Sequence, residues 1–172
     1  MFSLWLVRLN SNDISQFGDG NPGAVNAFKA GGWKIGVPAI LLDFLKGAVP
    51  VFIIAQIVGI TDFRLVAIAI APVLGHAFPV FLGFRGGKAI ATTFGIWAGL
   101  TLWQVPIIFG LGLILFKIII RIKNDAWNTI LGMLCVLMFL IIKFNLVLLS
   151  IFFLNLIIIV YKHRLELHLK VK

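Results

Sequence analysis

The amino-acid sequence predicts an all-α fold, a polytopic integral membrane bundle of about six transmembrane helices. Hydrophobic residues make up 61% of the 172 residues, whereas charged residues make up only 12%. A soluble domain carries about 25% charged residues, because its surface must be covered with polar groups. The mean hydropathy of +1.10 agrees with a membrane protein. We expect residues 1–172 to form a single membrane domain.

Five apolar runs follow one another along the chain. The third would form a helix of roughly 48 Å at about 1.5 Å per residue, whereas one crossing needs only about 30 Å. Gln104 and Pro106 in its middle offer a turn, so we predict two short spans there, with Trp97 and Trp103 as anchors at the membrane interface. The five runs are Ile35–Ile60, Leu65–Phe84, Ala89–Ile120, Ala126–Ile142 and Asn145–Tyr161.

The basic residues test the number of spans, because they collect on the cytoplasmic side of a membrane. With six spans, nearly all of the basic residues lie on one side of the membrane. With five spans, the Lys117–Lys123 cluster would lie on the opposite side. Six spans are therefore favoured, with both termini in the cytoplasm. The net charge of +9 is then explained by basic residues that flank the membrane spans, and a nucleic-acid partner is disfavoured. The predicted cytoplasmic cations are Lys29, Lys34, Arg85, Lys88, Lys117, Arg121, Lys123, Lys162, Arg164, Lys170 and Lys172.

Two of the predicted cytoplasmic loops, Phe17–Lys34 and Gly75–Ile90, combine glycines with fixed cations. Glycines let backbone N–H groups point into a concavity, which is how proteins hold phosphate groups. The alternative is that Gly and Pro only break helices at a membrane surface. A nucleotide P-loop is excluded, because Leu82 and Ala89 stand where that motif requires Gly and then Ser or Thr. The sequence predicts no metal, no cofactor and no particular oligomeric state.

Three polar residues near these loops have two interpretations each. His76 either acts on substrate, as a general base or a donor to phosphate, or caps its loop; no carboxylate follows it locally to orient the ring. Asp43 and Lys46 lie three residues apart, so they share one helical face and can pair. They form either a structural ion pair or one wall of an active site, because charges at this depth must face the bundle interior.

Three segments together resemble one enzyme family. They are GDGNPGAVN at Gly18–Asn26, LLDFLKG at Leu41–Gly47 and GHAFPVFLGFRGGKAIAT at Gly75–Thr92. In order and spacing they are similar to the bacterial acyl-phosphate:glycerol-3-phosphate acyltransferases, the PlsY family. That resemblance implies a multi-span helical fold in the bacterial cytoplasmic (inner) membrane, with its active site on the cytoplasmic face. It also implies transfer of a fatty acyl group from acyl phosphate to the 1-hydroxyl of glycerol 3-phosphate, giving lysophosphatidic acid for phospholipid synthesis.

The resemblance also assigns site residues. We expect a catalytic role for His76 from its position beside the two loops, and substrate binding by ten further residues, most of them at positions of the family motifs. The chemistry needs no protein nucleophile, because an acyl phosphate is already activated and has only to be positioned beside the attacking hydroxyl. The implied substrate-binding residues are Asp19, Asn21, Gly23, Asn26, Lys29, Arg85, Gly86, Gly87, Lys88 and His163.

Several positions depart from the family pattern. Asp19 replaces a Ser, Lys29 an Arg and Ala89 a Gly, and only Met1–Asn10 precede the first loop, where the family has a complete spanning helix. Asp19 places a negative charge where a phosphate would approach, and Lys29 lacks the two-pronged geometry of Arg. The alternative function is therefore a non-catalytic or regulatory membrane paralogue of the same fold.

Overall fold

The computed structural model describes residues 1–10 and 12–168, and within these ranges every regular element is helical. The basic residues predicted at positions 170 and 172 lie outside the described residues. Four described helices are long and apolar enough to cross a membrane alone, namely Ala24–Ile57, Arg64–Leu82, Asp125–Lys143 and Leu146–Leu167. Two shorter apolar helices, Ile90–Thr101 and Gln104–Ile119, lie between them.

The helices are numbered in chain order. Helices α2 and α5 each end in a π-helical turn, Ile53–Ile57 and Leu115–Ile119, and short 3₁₀ turns occupy Ile14–Gln16 and Val80–Leu82. The α-helices are α1 (Phe2–Leu9), α2 (Ala24–Phe52), α3 (Arg64–Ala77), α4 (Ile90–Thr101), α5 (Gln104–Ile114), α6 (Asp125–Lys143) and α7 (Leu146–Leu167).

The first predicted loop is shorter than expected. Helix α2 begins at Ala24, so the expectation of a loop as far as Lys34 was wrong. The backbone of Gly31 and Gly32 is not helical, so α2 consists of two helical segments joined at a kink; Gly32 adopts φ +61°, ψ −158°, a conformation open only to glycine. Asn26 and Lys29 therefore project from the first turns of a helix, which holds them more firmly than a loop would.

The second predicted loop also starts later than expected. Gly75 and His76 belong to the last turn of α3, which ends at Ala77. The helix ends there because Pro79 disfavours helical geometry at Phe78, whose backbone has φ −133° and ψ 59°. His76 is thus carried by a rigid helix rather than by a loop.

The predicted division of the third apolar run is confirmed. Helix α4 ends at Thr101 and α5 begins at Gln104, with Leu102 and Trp103 between them in left-handed backbone conformations. The break precedes Pro106, which lies in the first turn of α5, where its missing N–H costs nothing.

One of the two predicted interface anchors was wrong. Trp97 is only 1% exposed and its Nε1 donates to Asn155 Oδ1 at 3.3 Å, so it belongs to the core. Trp103, by contrast, is 58% exposed beside the break.

Helix α2 packs closely along α4, and small residues permit the contact. A Cβ added to Gly95 would lie 2.1 Å from the carbonyl oxygen of Phe44, and one added to Gly47 would lie 2.7 Å from that of Thr92. Close approach through glycine is common between membrane helices. The outer faces expose large apolar side chains, including Leu111 at 61% and Ile157 at 63% exposure, as expected of surfaces that meet lipid.

Candidate active site

A cavity of about 630 Å³ lies where the loop before α2, the loop before α4 and the ends of α6 and α7 converge. It brings together residues that are far apart in the sequence. Apolar side chains, among them Ile40, Ile90 and Phe94, form part of its wall. The predicted site residues that line it are Asp19, Asn21, Gly23, Asn26, Lys29, His76 and Lys88.

The first glycine loop, defined here as Phe17–Gly23, is organised around the carboxylate of Asp19. Asp19 Oδ1 accepts from Asn26 Nδ2 at 2.6 Å and from the backbone N–H of Asn21 at 3.2 Å. Asn26 Nδ2 also donates to the carbonyl of Asn21 at 2.8 Å, and Asn26 is only 3% exposed. The amide N–H groups of Asn26 therefore hold the loop in shape, because both of their acceptors belong to the loop itself.

The second glycine loop, defined here as Arg85–Ala89, is fixed at its base by α3 and α7. The backbone N–H of Gly86 donates to the carbonyl of Ala77 at 3.2 Å. Lys162 Nζ donates to the same carbonyl at 3.1 Å and to the carbonyl of Gly86 at 2.7 Å. These three hydrogen bonds hold the start of the second glycine loop against the end of α3 and against α7. They therefore determine where Lys88 lies.

Lys88 joins the two glycine loops to the C-terminal helix. Its Nζ donates to Asp19 Oδ2 at 2.8 Å and also pairs with Glu166 of α7. Burial lowers the pKa of Lys88, but the bonds to Asp19 and Glu166 outweigh burial and raise it above its ordinary value. Burial likewise raises the pKa of Asp19, but the bonds from Lys88 and Asn26 outweigh it and lower that pKa. Both groups therefore carry charge at neutral pH.

His76 is held in a buried polar cluster with the ion pair predicted for α2. Lys46 Nζ lies 2.6 Å from Asp43 Oδ1 and 2.5 Å from His76 Nδ1. Asp43 and His76 are only 1% and 4% exposed. The expectation that no carboxylate is near His76 holds only along the sequence: Asp43 Oδ1 lies 3.5 Å from Nδ1 in space. Asp43 also lines the cavity, so this internal ion pair contributes one carboxylate to the wall of the site.

Four predicted site residues lie outside this cavity. Arg85 and Gly86 line a second cavity of about 410 Å³, which shares Asp19 and Asn21 with the first. Gly87 is buried against His76. His163, 1% exposed, lines neither cavity; its Nδ1 lies 3.0 Å from Glu166 Oε2. His163 is therefore joined to the first cavity through Glu166, which does line it.

Three polar residues of the cavity wall, Asn124, Asp125 and Glu166, were not predicted from the sequence. Asn124 Oδ1 accepts from the backbone N–H of Ala126 at 2.9 Å, which caps α6, and its Nδ2 donates to the carbonyl of Glu166 at 2.8 Å. The Asn-Asp pair at the start of an apolar run was a recognisable helix-start signal. Glu166 was recognisable as the residue three positions after His163, on the same helical face.

Comparison with known proteins now identifies the family. The family model described as glycerol-3-phosphate acyltransferase matches residues 1–169. The chain belongs to the glycerol-3-phosphate acyltransferase family. Within that family, it is 37% identical over 180 residues to glycerol-3-phosphate acyltransferase 1 of Thermotoga maritima, a match covering 97% of this chain and 89% of that protein.

Other members of the family match over a shorter length or in three dimensions. The enzyme of Anaeromyxobacter dehalogenans is 45% identical over 94 residues, 53% of this chain and 47% of that protein. The crystal structure of PlsY, an integral membrane glycerol 3-phosphate acyltransferase, in its glycerol 3-phosphate form superposes with a TM-score of 0.86 at 31% identity. That match covers 96% of this chain and 82% of PlsY. The lysophosphatidic acid form gives a TM-score of 0.85. This chain is thus a multi-pass membrane protein of the PlsY family.

Proposed function

We propose that this protein transfers a fatty acyl group from an acyl phosphate to the 1-hydroxyl of glycerol 3-phosphate, giving lysophosphatidic acid and inorganic phosphate. The single observation that carries the proposal is the mixed character of the 630 Å³ cavity. It combines the cations Lys29 and Lys88 with the apolar side chains Ile40 and Phe94. A substrate with a phosphate head and a fatty acyl tail requires cationic side chains for the head and apolar side chains for the tail.

The reaction requires positioning and charge stabilisation more than a protein nucleophile. The 1-hydroxyl oxygen attacks the acyl carbonyl carbon, the bond from that carbon to the phosphate oxygen breaks, and the phosphate leaves with the electron pair. The hydroxyl proton passes to an oxygen of the departing phosphate. Lys29, Lys88 and Asn21 are the groups proposed to hold the phosphates and to stabilise the charge that develops on the leaving group.

The charges around the cavity are nearly balanced without substrate. Asp43 is paired with Lys46 and Asp125 with Lys117, while Lys88 is shared between two carboxylates. A phosphate therefore has to displace a carboxylate from Lys88 when it binds. This occupation of Lys88 is the observation that favours the second candidate, a non-catalytic or regulatory member of the family.

One assay separates the two candidates. The protein is purified in detergent and mixed with an acyl phosphate and glycerol 3-phosphate, and lysophosphatidic acid is measured. We expect the product only when both substrates are present, and not when the corresponding acyl thioester replaces acyl phosphate. Its absence with folded protein would favour the non-catalytic candidate.

We also propose that residues 1–172 act as one membrane domain in the bacterial inner membrane, with the cavity on the cytoplasmic face. Residues from both ends of the chain, such as Asp19 and Glu166, line the same cavity, which supports a single domain. The basic residues near the cavity support the cytoplasmic face, because cytoplasmic loops of membrane proteins are enriched in Lys and Arg.

The topology has its own test. In a Cys135→Ser background, Lys123→Cys should react with a membrane-impermeant thiol reagent in inverted vesicles and not in intact spheroplasts. Labelling from the outside would mean five crossings and a misassigned α4–α5 pair.

A further inference from the structure

We propose that Lys46 fixes the tautomer of His76, so that His76 donates a hydrogen bond from Nε2–H to an anionic substrate oxygen and does not act as a general base. Lys46 is then a positioning residue. The identity of the anion rests on the proposed function, whereas the tautomer is argued from the protein alone.

Nδ1 of His76 has two polar neighbours. Lys46 Nζ lies 2.5 Å from Nδ1, whereas the nearest carboxylate oxygen of Asp43 lies 3.5 Å away. A hydrogen bond of this type rarely spans more than about 3.2 Å, so Lys46 and not Asp43 is within hydrogen-bond reach of Nδ1. An ammonium group only donates, so Nδ1 must present its lone pair.

The contact at Nδ1 determines which ring nitrogen of His76 carries the proton. A neutral imidazole that accepts at one nitrogen carries its proton on the other, so the proton is on Nε2. An imidazolium would place two cations 2.5 Å apart where Asp43 already neutralises Lys46 at 2.6 Å. His76 is 4% exposed, so water screens little of that repulsion. The ring is therefore neutral, with Nε2–H as its donor.

Nε2 of His76 lies against the second glycine loop. A Cβ added to Gly87 would lie 2.4 Å from Nε2 and 2.8 Å from the carbonyl oxygen of Pro22. Nε2 therefore faces the junction of the two glycine loops, where His76 and Lys88 line the same cavity. A general base at this point would need a free lone pair, which Nε2–H lacks. An N–H donor beside a cation is suited to an oxyanion.

The tautomer can be measured without any activity. Histidine labelled with ¹⁵N is incorporated into the detergent-purified protein, and the His76 signals are assigned from their absence in His76→Gln. At neutral pH we expect Nε2 to be protonated and Nδ1 unprotonated. Lys46→Met should shift the tautomer population, whereas the distant control Lys143→Met should not. An Nδ1–H tautomer or an imidazolium in the unaltered protein would overturn the proposal.

The donor role is tested by kinetics. The amide N–H of Gln at position 76 reaches the place of Nε2–H but cannot act as a base, whereas Asn is too short to reach it. We expect His76→Gln to retain kcat/KM within about tenfold and His76→Asn to lose at least about 100-fold. Equal losses in both variants, with both still folded, would show that His76 is a base and overturn the proposal. If the unaltered protein forms no product, the proposed function fails, and the ¹⁵N measurement still decides the tautomer.

Discussion

The two glycine loops use glycine for different reasons. In the first, Gly18 and Gly20 have φ of +62° and +69°, values that side chains rarely adopt, and a Cβ on Gly18 would also lie 2.1 Å from Asn26 Oδ1. In the second, Gly86 and Gly87 do not have positive φ, but they have no room for a side chain. A Cβ on Gly86 would lie 2.1 Å from the carbonyl oxygen of His76, and one on Gly87 would lie 2.4 Å from its Nε2.

This difference separates a loop shaped by its own hydrogen bonds from a loop shaped by its neighbours. The first loop is organised around Asp19 and is partly exposed, so a change there alters charge more than packing. The second is buried between α3 and α7, so a change there displaces His76 or Lys88. We therefore expect larger losses of activity from the second loop.

The largest effect is expected from Gly87→Ala. The added methyl group would meet His76 Nε2 and the carbonyl of Pro22, and overpacking of this kind costs about 1–3 kcal/mol. A displacement near 1 Å in the site lowers the rate by about 100-fold. Initial rates of lysophosphatidic acid formation and thermal unfolding measure the two effects.

Gly75→Ala is the matched control for this change. Gly75 also neighbours His76 in the chain, but it lies in α3 with open space around its Cα, so it should keep its activity. Equal losses from both variants would show that the distinction between crowded and open glycines is wrong.

The next largest effect is expected from Lys88→Ala. Removing the ammonium leaves Asp19 and Glu166 facing the cavity without their shared cation. Charge-assisted hydrogen bonds contribute about 1.5–3 kcal/mol, so the KM for glycerol 3-phosphate should rise roughly 10–100-fold. Lys34→Ala, outside the cavity lining, is the control and should leave KM unchanged. An unchanged KM in Lys88→Ala would contradict the phosphate-binding assignment of the second loop.

A gain of activity is expected in the first loop. Asp19 occupies Lys88 and opposes an incoming phosphate, so Asp19→Ser should lower the KM for glycerol 3-phosphate by up to tenfold, or ~1.4 kcal/mol. Asp19→Asn should recover part of this gain, because it removes the charge and keeps the acceptor for Asn26. Steady-state kinetics measure both.

Asp13→Asn is the control for Asp19, because Asp13 caps the neighbouring 3₁₀ turn and lies outside the cavity lining. Asp13→Asn should leave KM unchanged. A loss of activity in both Asp19 variants would mean that this carboxylate is needed to hold Lys88 in place.

The smallest effect is expected from Ala89→Gly. Ala89 adopts φ +61°, ψ 13° at the start of α4, where a Cβ is strained. Glycine should raise the free energy of unfolding by about 0.5–1 kcal/mol after its greater freedom in the unfolded chain is subtracted. Chemical denaturation in detergent measures this change. Ala91→Gly, in the first helical turn, should instead destabilise by about 1 kcal/mol. If Ala89→Gly and Ala91→Gly both lowered the free energy of unfolding, the backbone of Ala89 would not be strained.

The membrane class, the helical fold and the family could be predicted from the sequence. Hydropathy is a sum over neighbouring residues, so the apolar runs and the break between α4 and α5 were recognisable without coordinates. The spacing of Asp43 and Lys46 correctly predicted that they pair, because residues three apart share one face of a helix. The motifs at Gly18–Asn26 and Gly75–Thr92 predicted two glycine loops with fixed cations, and residues of both segments line the first cavity.

Only the tertiary structure decided what these groups contact. Lys46 and His76 are 30 residues apart, and Lys88 and Glu166 are 78 apart. The relative rotation and depth of α2, α3 and α7 determine these contacts, and local periodicity records neither quantity. The same limit explains Trp97, whose aromatic character predicted an interface anchor although α4 turns its ring toward Asn155 in the core. The sequence determines which side chains each helix carries, whereas packing between helices determines which of these side chains are in contact.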